Sequence, residues 1–146
     1  MDDLLTISDD NIGGLQALHF APHFFFSSFS PLVFNAGYSW IKIECIPETS
    51  RMVEETVNSD QGSYQNIVIS GSLPKIRPGV DAILKKYRTL NCVVKVPDQN
   101  GNLRLAGTSA GELPLLDTSS TGEKAGDENG YVISFKGRQQ EKALYI

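Results

Sequence analysis

From Pro78 onward the apolar residues fall at Val80, Ile83, Leu84 and Tyr87. This is the i, i+3, i+4, i+7 spacing of one buried helix face, and it predicts a helix over about 78–88. Pro78 suits the first helical position, where its missing N–H has no intrahelical partner to lose. Lys85, Lys86 and Arg88 fall where the helix dipole favours positive charge. Next comes the period-2 run Leu90, Cys92, Val94 and Val96, which predicts a strand against the helix. Asn100-Gly101 has the residue types of a two-residue type I′ turn, so Gln99 is expected to face Asn102, and Val96 to face Leu105.

Alternation elsewhere predicts further strands. Asn11 to Phe20 reads as a strand opened by Gly13-Gly14, and Tyr38 to Ile46 as another that stops at Pro47. Arg51–Val57 and Ser63–Ile69 are expected to pair through the five-residue turn cluster Asn58 to Gly62. Residues 107–130, rich in Gly, Ser, Thr and Glu, read as a long mobile loop anchored only by Leu113-Pro114-Leu115-Leu116. Tyr131–Phe135 reads as the last full strand, and Ala143 to Ile146 are apolar enough to dock. About seven strands and one helix, without strand–helix alternation, predict a mainly-β fold. It is an antiparallel sandwich or barrel with one packed α-helix, in a single domain over 1–146.

Composition narrows the picture. A chain of 146 residues can bury roughly 68–70% of its unfolded surface and needs no metal or disulfide staple. Cys45 and Cys92 lie inside alternating apolar runs, where a small buried thiol is the expectation. No apolar run approaches the ~20 residues of a membrane-spanning helix, and from the Met-Asp-Asp start, without a basic region, no cleaved signal peptide is expected. The net charge of −4 is unevenly spread: Asp2, Asp3, Asp9 and Asp10 precede every basic residue, whereas Pro74 to Pro97 holds six bases against Asp81. Only Tyr87 is interleaved with those bases, and the helix pattern buries it, which argues against a nucleic-acid surface and for a solvated face or a charge-complementary protein contact.

The candidate chemistry is thin. Gly107-Thr108-Ser109-Ala110-Gly111 matches the nucleophile elbow G-x-S-x-G, but Pro114 blocks the helix that must follow, and His19 and His23 precede the serine instead of following it. His19 and His23 have the spacing of a metal pair, yet Pro22 interrupts them and Cys45 and Cys92 are far apart in sequence, so no metal site is expected. Asp98-Gln99-Asn100-Gly101 resembles the start of a calcium loop without its later ligands. No cofactor-binding glycine motif is present.

Six of the seven phenylalanines lie between Phe20 and Phe34, and the consecutive Phe24, Phe25 and Phe26 cannot all face one way in a strand. Together with the basic Lys85, Lys86 and Arg88 they form the candidate assembly surface. The order of local patterns also carries a resemblance. It runs from Asn11-Ile12-Gly13-Gly14-Leu15 through the strand Tyr64–Leu73 into Pro74, then Val96-Pro97-Asp98-Gln99-Asn100-Gly101 continuing to Thr108. Leu113-Pro114-Leu115, Thr121-Gly122 and Asp127 through Gly137 complete it. In this order the chain resembles small prophage-encoded virion proteins, tail components, of gut anaerobic bacteria. The match covers the last two thirds of the chain well and the first third only through the Gly13-Gly14 strand; the Phe24–Phe26 run departs from the group's pattern.

That resemblance implies a phage structural protein, made in the bacterial host cytoplasm and resident in the virion. It would be a homo-oligomer in contact with other virion proteins, with no catalytic residue, cofactor or small-molecule substrate. The competing expectation is a monomeric β-sandwich that binds carbohydrate on a platform of Tyr38 and Trp40; an exposed Trp40 would favour it, and a Trp40 buried in sheet packing would remove its best candidate. A hydrolase relying on Ser109 ranks third.

Overall fold

In the computed structural model the described residues are 17–29, 31–46, 49–108, 113–124, 129–140 and 142–145. Their strands are β1 (Leu18–Pro22), β2 (Phe26–Phe29), β3 (Leu32–Phe34), β4 (Ile41–Ile43), β5 (Arg51–Ser59) and β6 (Gly62–Pro74). The single helix α1 (Pro78–Tyr87) follows, then β7 (Cys92–Pro97), β8 (Leu103–Ala106), β9 (Leu115–Ser120), β10 (Gly130–Gln139) and β11 (Leu144–Tyr145). One sheet has the order β11-β8-β7-β1-β4, a second the order β5-β6-β10-β9, and β2 and β3 form a separate hairpin. The strand pairings are antiparallel. The fold is thus mainly β, sandwich-like, with one packed helix, as the hydrophobic pattern predicts.

Phe20 of β1 meets Phe135 of β10 at 5.5 Å between ring centroids and Tyr87 of α1 edge-on at 6.2 Å, so the two sheets and the helix share one core. The neighbouring strands β1 and β7 are covered on both faces: Leu18, Phe20, Ala21, Cys92, Val93, Val94 and Val96 are all buried. On the face turned away from the second sheet, Lys95 lies over the Trp40 ring at 5.2 Å, and Trp40 packs edge-on against Phe26 and Phe34. The β2–β3 hairpin therefore supplies a third, partial layer.

The β7–β8 hairpin differs from the expected one by a register step. Lys95 faces Leu105 and Val96 faces Arg104, with the Asp98 N–H donating to the Asn102 carbonyl. The loop is then Gln99-Asn100-Gly101, in which Gly101 takes positive φ (88°) while Asn100 does not. Asp98 accounts for the change. Its Oδ1 accepts the backbone N–H groups of Asn100 and Asn102, and its Oδ2 accepts the Asn102 side-chain amide. That carboxylate satisfies a three-residue loop closed by one left-handed glycine. Because β7 is buried on both faces, apolar matching alone did not select a register there.

Other expectations shift at their ends. The β5–β6 turn is tighter than foreseen, with Ser59 facing Gly62. The strand expected over 38–46 is only three residues long at Ile41–Ile43. Within residues 107–130, read as a loop, Leu113 and Leu115 are buried and β9 pairs with β10 from Leu115↔Phe135 to Ser120↔Gly130. Leu115 also exchanges backbone hydrogen bonds with Thr89 and Leu90, so partners distant in the chain convert a polar stretch into an edge strand. On α1, Leu84 and Tyr87 are buried as predicted, but Ile83 remains 47% exposed.

Candidate functional site

The three consecutive phenylalanines enter three environments. His23 to Phe25 form a single 3-10 turn between β1 and β2, which breaks strand alternation and lets successive rings fan out. Phe25 turns to the helix side, 5.8 Å edge-on from Tyr87. Phe26 turns to the hairpin side, stacked on Phe34 at 4.5 Å. Both are buried, so the second surface they require is supplied by their own chain, and neither is available for assembly. Phe24 alone points outward, 52% exposed.

Phe24 has an aromatic companion that chain order alone does not place beside it. The Asn35-Ala36-Gly37 turn sends the chain back. The Asn35 N–H donates to the Phe25 carbonyl, its side-chain amide to the Phe24 carbonyl, and Gly37 adopts positive φ (86°). Tyr38 thereby arrives 6.1 Å from Phe24 and 4.5 Å from Phe25, itself 44% exposed. The signal available in sequence was that Asn-Ala-Gly turn between two aromatic segments. Beneath this pair lies Phe25 on Tyr87, and the Lys86 ammonium lies 5.3 Å over the Tyr87 ring. Lys85 and Lys86 are exposed in the last turn of α1, where they also complement its dipole. The result is an exposed aromatic pair on a rigid aromatic base, with Lys86 over the Tyr87 ring beneath it and Lys85 exposed in the same helical turn.

Arg88 leaves the candidate surface. Its guanidinium donates two hydrogen bonds to Asp117 of β9, Nε to Oδ1 at 2.7 Å and the terminal nitrogen to Oδ2 at 3.1 Å. The Asp117 carboxylate is only 8% exposed and demands a cation, so Arg88 ties the helix end to the second sheet. Trp40, whose exposure would favour a carbohydrate platform, is half-buried among Phe26, Phe34 and Lys95. Of the acidic groups that could complement the lysines on a neighbour, Glu123 is exposed; Asp2, Asp3, Asp9, Asp10, Asp127 and Glu128 lie outside the described residues.

The residues weighed for chemistry go to separate places. The side chain of His19 shares the outer face of the five-stranded sheet with its register partners Lys42 and Lys95. Burial first, then Lys95 and Lys42, hold its pKa below the ordinary value. The ring of His23 instead donates from Nε2 to the Gly107 carbonyl at 3.0 Å. Ser109 falls outside the described residues. Cys45 and Cys92 are both free, and burial pushes the Cys92 thiol up to about 12, far from a reactive thiolate. Among the described residues no three His, Cys, Asp or Glu side chains gather as a metal site, and no helix is long and apolar enough to cross a membrane. No family model matches the chain, and neither a curated protein nor a solved structure matches it significantly.

Proposed function

We propose that the protein acts by binding other protein chains, as a non-catalytic structural subunit of an assembly. The observation that carries this reading is the exposed Phe24–Tyr38 pair held on buried Phe25, which packs on the Tyr87 ring that Lys86 overlies. Rings fixed from behind lose little conformational freedom on docking, and aromatic anchors of this kind supply most of the energy of protein interfaces. The two lysines add orientation, since opposite charge on a partner steers encounter and register. The finer reading is a tail component of a phage particle, made in the host cytoplasm and assembled with copies of itself and other virion proteins. It rests on the resemblance in the order of turns and strands. A β-rich subunit with one rigid aromatic patch and charge unevenly spread along its chain suits such a ring or tube.

The test is light scattering coupled to size exclusion over a range of concentration, alone and with neighbouring virion proteins. The mass is expected to rise with concentration or with a partner. Phe24→Ser should weaken the contact by tenfold or more, on the order of the 1.4 kcal/mol or more that one anchor ring contributes. High salt should weaken it only in part. A monomer under every condition, or an association indifferent to Phe24→Ser and Tyr38→Ser alike, would remove this reading.

A further inference from the structure

We propose that the cleft between α1, β4 and the end of β6 binds an amphipathic monocarboxylate of the fatty-acid class, its tail inward and its head at Arg77. The cleft has a volume of about 480 Å³, within the 300–1,000 Å³ typical of small-molecule sites. Phe20 and Ile133 form its buried floor. Its walls expose apolar surface that the fold itself would be expected to cover. Ile83 belongs to the helix stripe that faces the core, yet it is 47% exposed. Val80 on the same stripe, Ile41 on β4 and Leu73 on β6 also line the cleft and are only partly buried. They surround one opening, beside the edge strand β4, where among the described residues no further strand extends the sheet.

Charge at the lip sets the head group. Lys42 and Glu44 pair with each other at 3.0 Å. Asp81, the acid in the first turn of α1, accepts a hydrogen bond from the Tyr131 hydroxyl. Arg77 is fixed through its backbone, its N–H donating to the Tyr131 oxygen and its carbonyl accepting the Asp81 N–H. Its side chain stays exposed, and among the described residues no carboxylate forms a salt bridge with it. A guanidinium without an ion-pair partner among the described residues, set above an apolar cleft, matches one carboxylate on an apolar tail, and the planar fork can take both oxygens. The lining includes none of Phe24, Tyr38, Lys85 and Lys86, so this site stands or falls independently of the assembly surface.

Calorimetric titration of the full chain with decanoate, below its micelle concentration, tests the assignment against decanol and decyltrimethylammonium. One saturable site for decanoate is expected, with the alcohol and the cation binding roughly tenfold more weakly, the loss typical of one charge-assisted hydrogen-bonded contact. Arg77→Gln should lower decanoate affinity by about the same factor and leave decanol unchanged, whereas Ile83→Trp, which fills the cleft, should weaken both. Arg77 and Ile83 are exposed, so both variants should keep the melting temperature of the unliganded protein. Non-saturable uptake, equal affinity for all three amphiphiles, or indifference to Arg77→Gln would overturn the proposal. So would displacement of decanoate by a synthetic peptide of residues 1–16, which would give the cleft to a polypeptide.

Discussion

The two sheets handle the same problem in opposite ways. At the centre of the five-stranded sheet, β1 and β7 are buried on both faces, and even Lys95 is folded over Trp40. The four-stranded sheet buries one face only. On β10, Tyr131, Ile133 and Phe135 are covered while Val132 is 49% exposed and Lys136 is exposed; on β5, Val53 is 45% exposed. The first arrangement makes each position answer to two layers of neighbours, so a small change of volume or charge has nowhere to go. The second leaves a whole face answering mainly to water. Substitutions should therefore separate sharply by sheet and by face.

The largest effect is expected at Gly107, just beyond β8. Its φ is +87°, and a Cβ there would collide with the Cys92 carbonyl oxygen of β7. Gly107→Ala should cost about 4 kcal/mol, from left-handed strain and a backbone clash together. By contrast Gly101 (φ +88°) has open space around its Cβ position, so Gly101→Ala should cost only ~1 kcal/mol. Urea midpoints for the two variants check this. Equal losses would mean that the buried sheet is no less forgiving than its hairpin tip.

The two sheets are also tied by charge. Glu54 on the inner face of β5 pairs with Arg104 on β8, their side chains 9% and 18% exposed, and accepts the Ala143 N–H as well. The same guanidinium donates to the Ala143 carbonyl and lies 4.6 Å from the Tyr145 ring. Glu54→Gln should cost roughly 3 kcal/mol by leaving a half-buried cation uncompensated, and Glu54→Gln with Arg104→Met should recover part of that loss. A double variant no more stable than the single one would show that hydrogen bonding to Ala143, and not charge, is what the pair provides.

His19 offers a pH test of the outer face of the five-stranded sheet. Its pKa is lowered from 6.5, first by burial and then by Lys95 and Lys42, and its Nδ1 is buried without a hydrogen-bond partner. The unfolded chain then takes up the proton more readily than the folded one. The contribution is complete above pH 6.5 and is lost as pH falls through the lower folded-state pKa. Melting temperature should thus fall more steeply on mild acidification in the native chain than in His19→Gln; identical slopes would remove His19 from the account.

Smaller effects are expected beyond the buried sheet. Thr89, a β-branched residue just after α1, holds φ at 64° because its N–H donates to Leu115. Thr89→Gly should stabilise by roughly 1 kcal/mol through relief of that strain. On the outer face of the four-stranded sheet, Val132→Thr should change stability by less than about 0.5 kcal/mol. A large loss there would break the distinction between the two sheets.

The sequence by itself determined the elements whose signals are local. Pro78 and the stripe through Tyr87 specified α1, alternation specified β7, and the 51–69 pattern specified the long hairpin. Three consecutive phenylalanines required more than one surface. Tertiary structure decided what depends on residues distant in the chain. Strand β9 exists because Thr89, Leu90 and β10 present hydrogen-bonding edges to Leu115–Ser120. The register of β7 and β8 followed the Asp98 carboxylate and not the apolar pattern, since burial on both faces makes that pattern indifferent to a one-residue step. The candidate surface was half legible. Phe24 and the two lysines were in view, but Tyr38 joined them only through the Asn35–Gly37 turn, and Arg88 left them for Asp117. Periodicity states which side chains must leave water; which neighbours receive them, and which one of three adjacent rings is left outside, is settled only when the layers close.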